Sequence, residues 1–394
     1  MSPPLPDRNA PDQVLTRSAR TLRGMHRPGI SARRAAAATA LCCALIAAGA
    51  AQARAGGTPH GSAPAATPTL SQLVGQRLVV AFKGTTASRS LRARIRTGQI
   101  GGVILFGSNI ASPSQLQALT AELQLAAHNG GQPPLLITTD QEGGLVKRIP
   151  WAPPDHSAQQ LGQLPTAKSH TAGSLTGAAL RADGVNIDLA PVADVPTGPS
   201  DFIEQQQRAF STSRFIVATH AAAFASGLEG HKVWPTLKHF PGLGRATVST
   251  DDALVHINAT AQQLGRAWLP YKVAFRQNLD PMVMLSTAVY PALDRRAAAW
   301  SPAVIKGILR KRLGFTGVTI TDSLDAAAHV RHTTDPPLAL KSAAAGSDLI
   351  LITGSRASSQ AVFKALLAAA KNGTLPVGGL NKSYARILAL KARL

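Results

Sequence analysis

The sequence predicts an α/β protein, a single (β/α)8 barrel of the TIM type that forms one catalytic domain. Two observations support this prediction. Eight short apolar runs alternate with stretches of helical pattern from residue 70 onward, as in parallel strands joined by helices. Polar and charged residues also follow several of these runs, at the end of the barrel where such proteins place their chemistry. A doubly wound open sheet is the alternative arrangement of the same units.

The eight runs are almost continuously apolar, which is typical of parallel strands buried on both faces. The stretch that contains them is about 325 residues long, which is enough for eight strand–helix units. The predicted strands are QRLVVAF (76–82), IGGVILF (100–106), PLLITT (134–139), GVNIDLA (184–190), VWPTL (233–237), PMVMLS (281–286), TGVTIT (316–321) and SDLILI (347–352).

Helix boundary signals stand between the runs. Ser112-Pro113 combines an N-cap residue with a proline in the first turn, and Asn129-Gly130 supplies a stop. Leucines between them, at positions 116, 119 and 123, recur on one helix face. Ser301-Pro302 repeats the start signal ahead of apolar residues at 305, 308 and 309. These signals predict helices in the intervals between strands.

The first 69 residues have a different character. Residues 35–53 form an Ala-rich apolar run that follows Arg33-Arg34 and ends in a small-x-small pattern, which predicts a signal peptide over residues 1–53. An uncleaved N-terminal anchor is the alternative, and would be the protein's contact with a membrane. Residues 54–69 read as a flexible linker, and residues 70–394 as the catalytic domain. We therefore expect a secreted or envelope-attached protein, monomeric in solution.

Charge and cysteine content exclude several classes of protein. The formal net charge is +21, but the basic residues are scattered and not interleaved with aromatic residues, so no nucleic-acid partner is predicted. A basic surface facing an anionic cell envelope is the simpler interpretation. Both cysteines, Cys42 and Cys43, lie in the predicted signal peptide. Disulfides, cysteine-ligated metals and a cysteine nucleophile are therefore not expected after export.

The residues that follow the strands indicate the chemistry. Asp140 follows the third run, Lys238-His239 the fifth and Asp322 the seventh, so their side chains should meet at one mouth of the barrel. The sequence has no Gly-rich phosphate loop, no metal-ligand spacing and no serine nucleophile elbow, so no metal or organic cofactor is predicted. Carboxylates combined with cationic residues that bind a sugar point to glycoside hydrolysis.

Six motifs, in this order and spacing, resemble glycoside hydrolase family 3. They are DQEGGLVKR, NIDLAPVADV, QQQRAF, KHFPGLG, GFTGVTITDSLD and AGSDLILI, and the resemblance is to the β-N-acetylglucosaminidase branch of the family. It covers about residues 70–394. The resemblance implies a retaining exo-glycosidase that removes terminal β-linked N-acetylglucosamine from cell-wall or chitin-like saccharides. A β-glucosidase or β-xylosidase of the same family is the alternative activity.

The resemblance also assigns roles to individual residues. Asp322 matches the aspartate nucleophile that forms the covalent glycosyl-enzyme. A carboxylate accepts hydrogen bonds from sugar hydroxyls, and a neighbouring cation keeps it ionised. The residues matched to substrate binding are Asp140, Arg148, Arg208, Lys238 and His239. We expect Glu142 to support its loop, Asp194 to be structural and Asp348 to cap or pair locally.

The pattern breaks where the family branch has an Asp-x-His pair. Ser249 and Asp251 occupy those two positions, so the expected acid/base histidine is absent. Three hypotheses follow. Asp251, or its neighbour Asp252, acts as the general acid with a raised pKa. Alternatively, His329, His332 or the loop STAVY (286–290) donates the proton. In the third, the protein is a sugar-binding relic with little turnover.

Overall fold

The computed structural model describes residues 67–394, so the predicted signal peptide and all but the end of the linker lie outside the described residues. Seven of the eight predicted runs contain a whole strand, and the fifth, residues 233–237, covers the first part of a strand that extends to Phe240. Their labels and bounds are β1 Leu78–Val80, β2 Gly102–Leu105, β3 Leu136–Thr139, β4 Ile187–Asp188, β5 Trp234–Phe240, β6 Met282–Leu285, β7 Thr319–Thr321 and β8 Ile350–Ile352.

These strands form a closed parallel barrel. Each strand from β1 to β6 pairs in parallel with the next one along the chain, and β1 also pairs with β8. A parallel bridge between Ile320 and Leu349 closes the ring, because the Leu349 amide donates to the Thr319 carbonyl at 2.8 Å. The predicted (β/α)8 fold is confirmed, and the alternative of an open sheet is wrong.

Alternate side chains of each strand enter two different cores. Val79, Ile104 and Met284 point into the barrel and belong to one apolar cluster, which also includes Ile387 and Leu390 of the C-terminal helix. Their strand neighbours, such as Leu78 and Val80, belong to a larger cluster between the barrel and its surrounding helices. This period of two explains why the strands read as continuous apolar runs.

Within residues 67–394 thirteen α-helices surround the strands. Their bounds are α1 Leu70–Gly75, α2 Arg89–Arg96, α3 Pro113–His128, α4 Ala158–Gly162, α5 Thr166–Ala182, α6 Phe202–Gln205, α7 Arg214–Glu229, α8 Ala261–Ala267, α9 Leu269–Arg276, α10 Leu324–His329, α11 Asp335–Ala345, α12 Arg356–Lys371 and α13 Val377–Lys391. Short 3₁₀ turns occupy Gly107–Asn109 and Ala298–Trp300, and a π-helix spans Ala303–Arg312.

Both predicted helix starts are found in the structure. The Ser112 side chain accepts a hydrogen bond from the Gln115 amide, and Asn129 forms the C-cap of α3. The Ser301 hydroxyl accepts from the Val304 amide at 3.1 Å, at the start of the segment with π-type hydrogen bonding. The predicted leucine face of α3 is buried, as expected for a helix that covers the barrel.

Two small hairpins extend the barrel mouth. One consists of Gln141–Gly143 and Val146–Lys147, and the other of Val289–Tyr290 and Asp294–Ala297. The first follows β3 directly and places its residues at the carboxyl ends of the barrel strands. No helix in the described part of the chain is both long and apolar enough to cross a membrane.

Asp348 connects the barrel to its outer layer. One carboxylate oxygen accepts from Arg310 at 2.6 Å and from the Thr319 amide, and the other accepts from Arg386 at 2.6 Å and from Ser383. The expectation that Asp348 pairs locally is therefore wrong. Its arginine partners come from the π-helix and α13, because a fully buried carboxylate needs several donors to offset its lost hydration.

We predict that Asp348→Ala lowers the free energy of unfolding by about 3–5 kcal/mol, because it leaves two arginines without their buried counter-ion. Urea denaturation measures this change. Asp155→Ala is the control, since Asp155 pairs with Lys147 at the surface, and it should change stability by less than about 1 kcal/mol. Equal effects of the two substitutions would contradict the role given to Asp348.

Candidate active site

A cavity of about 270 Å³ opens at the carboxyl ends of the barrel strands. Its wall takes residues from β2, β5, β6 and β8 and from the segments that follow β3, β4, β5 and β7. All seven residues predicted from the sequence line it, so the structure brings the whole predicted set together. They are Asp140, Arg148, Arg208, Lys238, His239, Asp251 and Asp322.

A buried cluster of charges forms one side of this cavity. The Lys238 ammonium donates to Asp140 at 2.7 Å and lies 2.6 Å from Glu142. Arg208 donates two parallel hydrogen bonds to Glu142, each 2.8 Å long. Glu142 therefore connects the two cations that the sequence predicts to bind substrate. Sequence reasoning missed this role, and the signal was an acidic residue two positions after a strand-end aspartate.

The cluster keeps its members charged despite their burial. Burial alone would raise the pKa of Glu142, but Arg208 and Lys238 outweigh it and lower that pKa to about 2. Burial likewise opposes the charged form of Lys238, and the carboxylates of Asp140 and Glu142 reverse the effect and raise its pKa. Glu142 and Lys238 therefore stay ionised over the whole physiological range.

His239 is oriented by Asp194. The Nδ1 atom of His239 lies 2.7 Å from an Asp194 oxygen, and the other oxygen accepts from the Leu243 amide at 2.6 Å and the His239 amide at 3.1 Å. Asp194 is fully buried and acidic, so the bond fixes the proton on Nδ1 and leaves Nε2 available to a ligand. The expectation that Asp194 is structural is therefore incomplete, because it positions a cavity residue and the start of the next loop.

Arg148 lies at the end of the first hairpin, over the ring of Phe106. The Gln141 side chain accepts from its amide at 3.1 Å, and this bond fixes the backbone at that point. The buried Nε of Arg148 has no hydrogen-bond partner within residues 67–394. A buried guanidinium donor without a partner is costly, so this group is suited to bind a ligand oxygen.

Asp322 follows β7 directly and reaches the cavity half-buried. Its amide donates to the Leu285 carbonyl of β6 at 2.9 Å, and the Ser323 amide donates to its carboxylate at 2.8 Å. These two bonds hold the carboxylate at the barrel mouth. Asp322 therefore shares the cavity wall with the charged cluster of Asp140, Glu142, Arg208 and Lys238.

Comparisons with known proteins agree with this arrangement. Residues 69–390 match the model of the glycosyl hydrolase family 3 N-terminal domain. This chain belongs to glycosyl hydrolase family 3. An uncharacterized secreted glycosyl hydrolase of Arthroderma benhamiae is 36% identical to it, over 84% of this chain and 96% of that protein. The chain is accordingly a glycoside hydrolase, and its barrel is the fold of that family.

Two solved structures of family 3 proteins are also similar. The β-N-acetylglucosaminidase of Paenibacillus sp. FPU-7 is 33% identical with a TM-score of 0.79, over 83% of this chain and 63% of that chain. The β-N-acetylhexosaminidase of Beutenbergia cavernae is 32% identical with a TM-score of 0.77, over 83% of this chain and 100% of that chain. This chain thus spans under two thirds of the first structure and all of the second.

In this glycoside hydrolase the loop after β5 brings Asp251 to the cavity together with Ser249 and Thr250. Burial, followed by the negative charge of Asp322, raises the pKa of Asp251 to about 6. The residue as a whole remains exposed at the rim, so we expect the charge of Asp322 to weigh more than burial. Asp252 does not line the cavity and contributes its charge to the same shift.

The other candidate proton donors lie elsewhere. His329 and His332 are exposed and do not line the cavity, and neither do the residues of the STAVY loop. Across residues 67–394 no three His, Cys, Asp or Glu side chains are grouped closely enough to hold a metal ion. Among the candidate proton donors named from the sequence, Asp251 is therefore the one that lines the cavity.

We predict that Asp194→Asn lowers kcat/KM of the glycoside hydrolase about 10- to 100-fold, because the amide no longer holds the proton of His239 on Nδ1. Turnover of a chromogenic glycoside, with the melting temperature recorded beside it, tests this. Asp183→Asn is the matched control, since Asp183 accepts from Trp151 outside the cavity. Full activity of Asp194→Asn would show that the Asp194–His239 bond has no part in positioning.

Proposed function

We propose that this glycoside hydrolase is a retaining exo-enzyme that removes terminal β-linked N-acetylglucosamine, with Asp322 as nucleophile and Asp251 as general acid/base. One observation carries the proposal. Two carboxyl groups in different environments, Asp322 and Asp251, line the same cavity as the cluster of cations and carboxylates. A retaining mechanism needs one ionised carboxylate and one carboxyl that can hold a proton.

The rest of the cavity is suited to hold one sugar ring. The Asp140 carboxylate can accept hydrogen bonds from two hydroxyls while it remains paired with Lys238. The free donors of Arg148 and the Nε2 atom of His239 supply further contacts. A volume of about 270 Å³ is at the low end for small-molecule sites, which favours recognition of a single terminal residue.

The preference for N-acetylglucosamine is supported by similarity. The Paenibacillus and Beutenbergia proteins are a β-N-acetylglucosaminidase and a β-N-acetylhexosaminidase, and this chain is about a third identical to each. Secretion is supported by the predicted signal peptide and by the Arthroderma relative, which is described as secreted. We infer that the substrates are cell-wall or chitin-like saccharides outside the cytoplasm.

The reaction proceeds in two displacements. Asp322 attacks the anomeric carbon while Asp251 protonates the glycosidic oxygen, so the carbon–oxygen bond breaks and the aglycone leaves as an alcohol. Asp251, now ionised, then removes a proton from water as the water oxygen attacks the same carbon and releases Asp322. Esterification neutralises Asp322 and removes one cause of the raised pKa of Asp251. Asp251 therefore remains ionised and ready to act as base in the second step.

We predict that Asp322→Ala reduces turnover of β-N-acetylglucosaminides to background. Asp251→Asn should lower kcat/KM by about 10²- to 10⁴-fold for a poor leaving group and much less for a nitrophenolate, which needs no protonation. Azide should restore kcat of Asp251→Asn on the nitrophenyl substrate and give a β-glycosyl azide, because azide attacks the glycosyl-enzyme without a base.

The control is Asp252→Asn, which changes the adjacent residue without changing the cavity wall. Assayed on the plateau of the pH–rate profile, below the basic limb, it should keep most of the activity on both kinds of substrate. A similar loss in Asp251→Asn for good and poor leaving groups would remove Asp251 as the acid. Turnover of β-glucosides or β-xylosides in place of N-acetylglucosaminides would reassign the substrate, and no turnover of any β-glycoside would favour the sugar-binding relic.

The pKa of Asp251 gives a second prediction. The general acid must be protonated in the free enzyme, so kcat/KM for a poor leaving group should fall as the pH rises above about 6. The charge of Asp252 contributes to the raised pKa, so Asp252→Asn should move this basic limb to lower pH. A pH–rate profile of wild type and variant measures both. A basic limb that Asp252→Asn leaves in place would argue for another proton donor.

A further inference from the structure

A second and larger cavity adjoins the catalytic one. It measures about 790 Å³ and lies between the ends of β1 and β8, with α2 on one side and the start of α12 on the other. Phe106 and Thr353 belong to the walls of both cavities. The two cavities therefore share part of their walls, after β2 and after β8. Nothing in the proposed reaction uses it.

The charges of this cavity are all of one sign. Its wall contains three cations, Lys83, Arg94 and Arg356, and none of its described residues is an aspartate or glutamate. Asp325, which accepts hydrogen bonds from Thr353 and Ser323, is not in the wall. Five hydroxyl groups complete the polar lining, from Ser88, Ser108, Thr353, Ser355 and Ser359. Such a wall is complementary to an anion.

Arg94 is the residue that most needs a partner. It is only 6% exposed, and its guanidinium donates to the Ser359 hydroxyl at 2.9 Å. Its buried Nε has no hydrogen-bond partner within residues 67–394. Burial and the nearby charge of Arg356 lower the pKa of Arg94, because no carboxylate offsets either effect. A buried, unpaired cation is unfavourable for folding and is typical of a binding site.

The position of Arg356 is also unfavourable for folding. It is the first residue of the sixteen-residue helix α12, whose first turn contains no acidic residue. A helix N-terminus carries partial positive charge and disfavours a cation. Gly354, Ser355 and Ala357, which surround this N-terminus, also line the cavity. An anion bound here would meet the helix N-terminus, Arg356 and Arg94 together.

Part of the wall is apolar. It contains Val80, Phe82, Leu91 and Phe106, so a ligand that fills the cavity presents an apolar part as well as a charge. We propose that this cavity is a second binding site, which takes a small organic anion through Arg94 and Arg356. The ligand class is an oxyanion, carboxylate or phosphate, attached to an apolar group. The anion is either free or part of the aglycone of a saccharide held in the catalytic cavity.

Calorimetric titration of the full chain with phenyl phosphate tests the site directly. Wild type should bind phenyl phosphate, and should bind neutral benzyl alcohol and inorganic phosphate more weakly. Arg94→Gln and Arg356→Gln should each weaken the phenyl phosphate complex about 10- to 100-fold, as expected for the loss of a charged donor. Arg96→Gln is the matched control, since Arg96 is an exposed residue of the same helix and outside the wall.

The same titration in saturating N-acetylglucosamine separates the two cavities. If phenyl phosphate still binds, its site lies outside the catalytic cavity. If phenyl phosphate and N-acetylglucosamine exclude each other, the proposal is overturned. Affinity unchanged by Arg356→Gln, whose exposed side chain can be replaced without risk to folding, also overturns it. The binding measurement does not depend on turnover. Its result can therefore be interpreted even if the proposed glycosidase function is wrong.

The source of the anion is distinguished by kinetics. We compare KM for two β-N-acetylglucosaminides. One carries a carboxylate on its aglycone, and the other carries the methyl amide of that carboxylate. If the aglycone supplies the anion, Arg356→Gln raises KM for the acid and not for the amide, and phenyl phosphate competes with the acid alone. If the anion is free, Arg356→Gln leaves both KM values alike while still weakening phenyl phosphate. Both results support the site and identify its occupant.

Discussion

The sharing of Glu142 between Arg208 and Lys238 is the interaction on which the catalytic mouth depends. Three charged groups that are almost completely withdrawn from water would each be strongly unfavourable alone. Together they neutralise one another in part and satisfy their hydrogen bonds, with Asp140 as a second acceptor for Lys238. The cavity can therefore present fixed charges to a sugar without reorganising when the sugar arrives. Fixed dipoles and charges of this kind contribute most when solvent is excluded.

The barrel supplies the rigidity that this cluster requires. Asp140 and Glu142 come from the end of β3 and its hairpin, Lys238 from β5, and Asp322 from the end of β7. Neighbouring strands are bonded along the whole ring, so the side chains at their ends are held in a constant relation to one another. The Asp348 network, formed where β7 and β8 begin, keeps the outer helices attached to this ring. Stability and catalysis thus occupy opposite ends of the same strands.

The fold and the members of the site were predictable because they depend on local pattern. Continuous apolar runs predict buried parallel strands, and residues directly after strands, such as Asp140 and Asp322, must meet at the mouth. The roles of Glu142 and Asp194 depend on contacts between residues 66 and 45 positions apart, to Arg208 and His239 respectively. No local pattern encodes which cation an acidic residue will face. The cationic cavity beside the site was missed for the same reason, since α2 and α12 lie far apart in sequence.

In the proposed reaction, Asp251 takes the role of a histidine. The family resemblance leads to a histidine at this position, and an unperturbed imidazole has a pKa of about 6.5. The surroundings of Asp251 raise its pKa to about 6, so the carboxyl titrates in nearly the same range. The two acids differ in charge. A carboxyl is neutral before it gives up its proton and negative afterwards, whereas an imidazole is positive before and neutral afterwards. In the proposed reaction that order is favourable, since a neutral acid does not form the ion pair with the Asp322 carboxylate that a protonated imidazole would form. Once Asp322 is esterified, the new negative charge on Asp251 meets no like charge there.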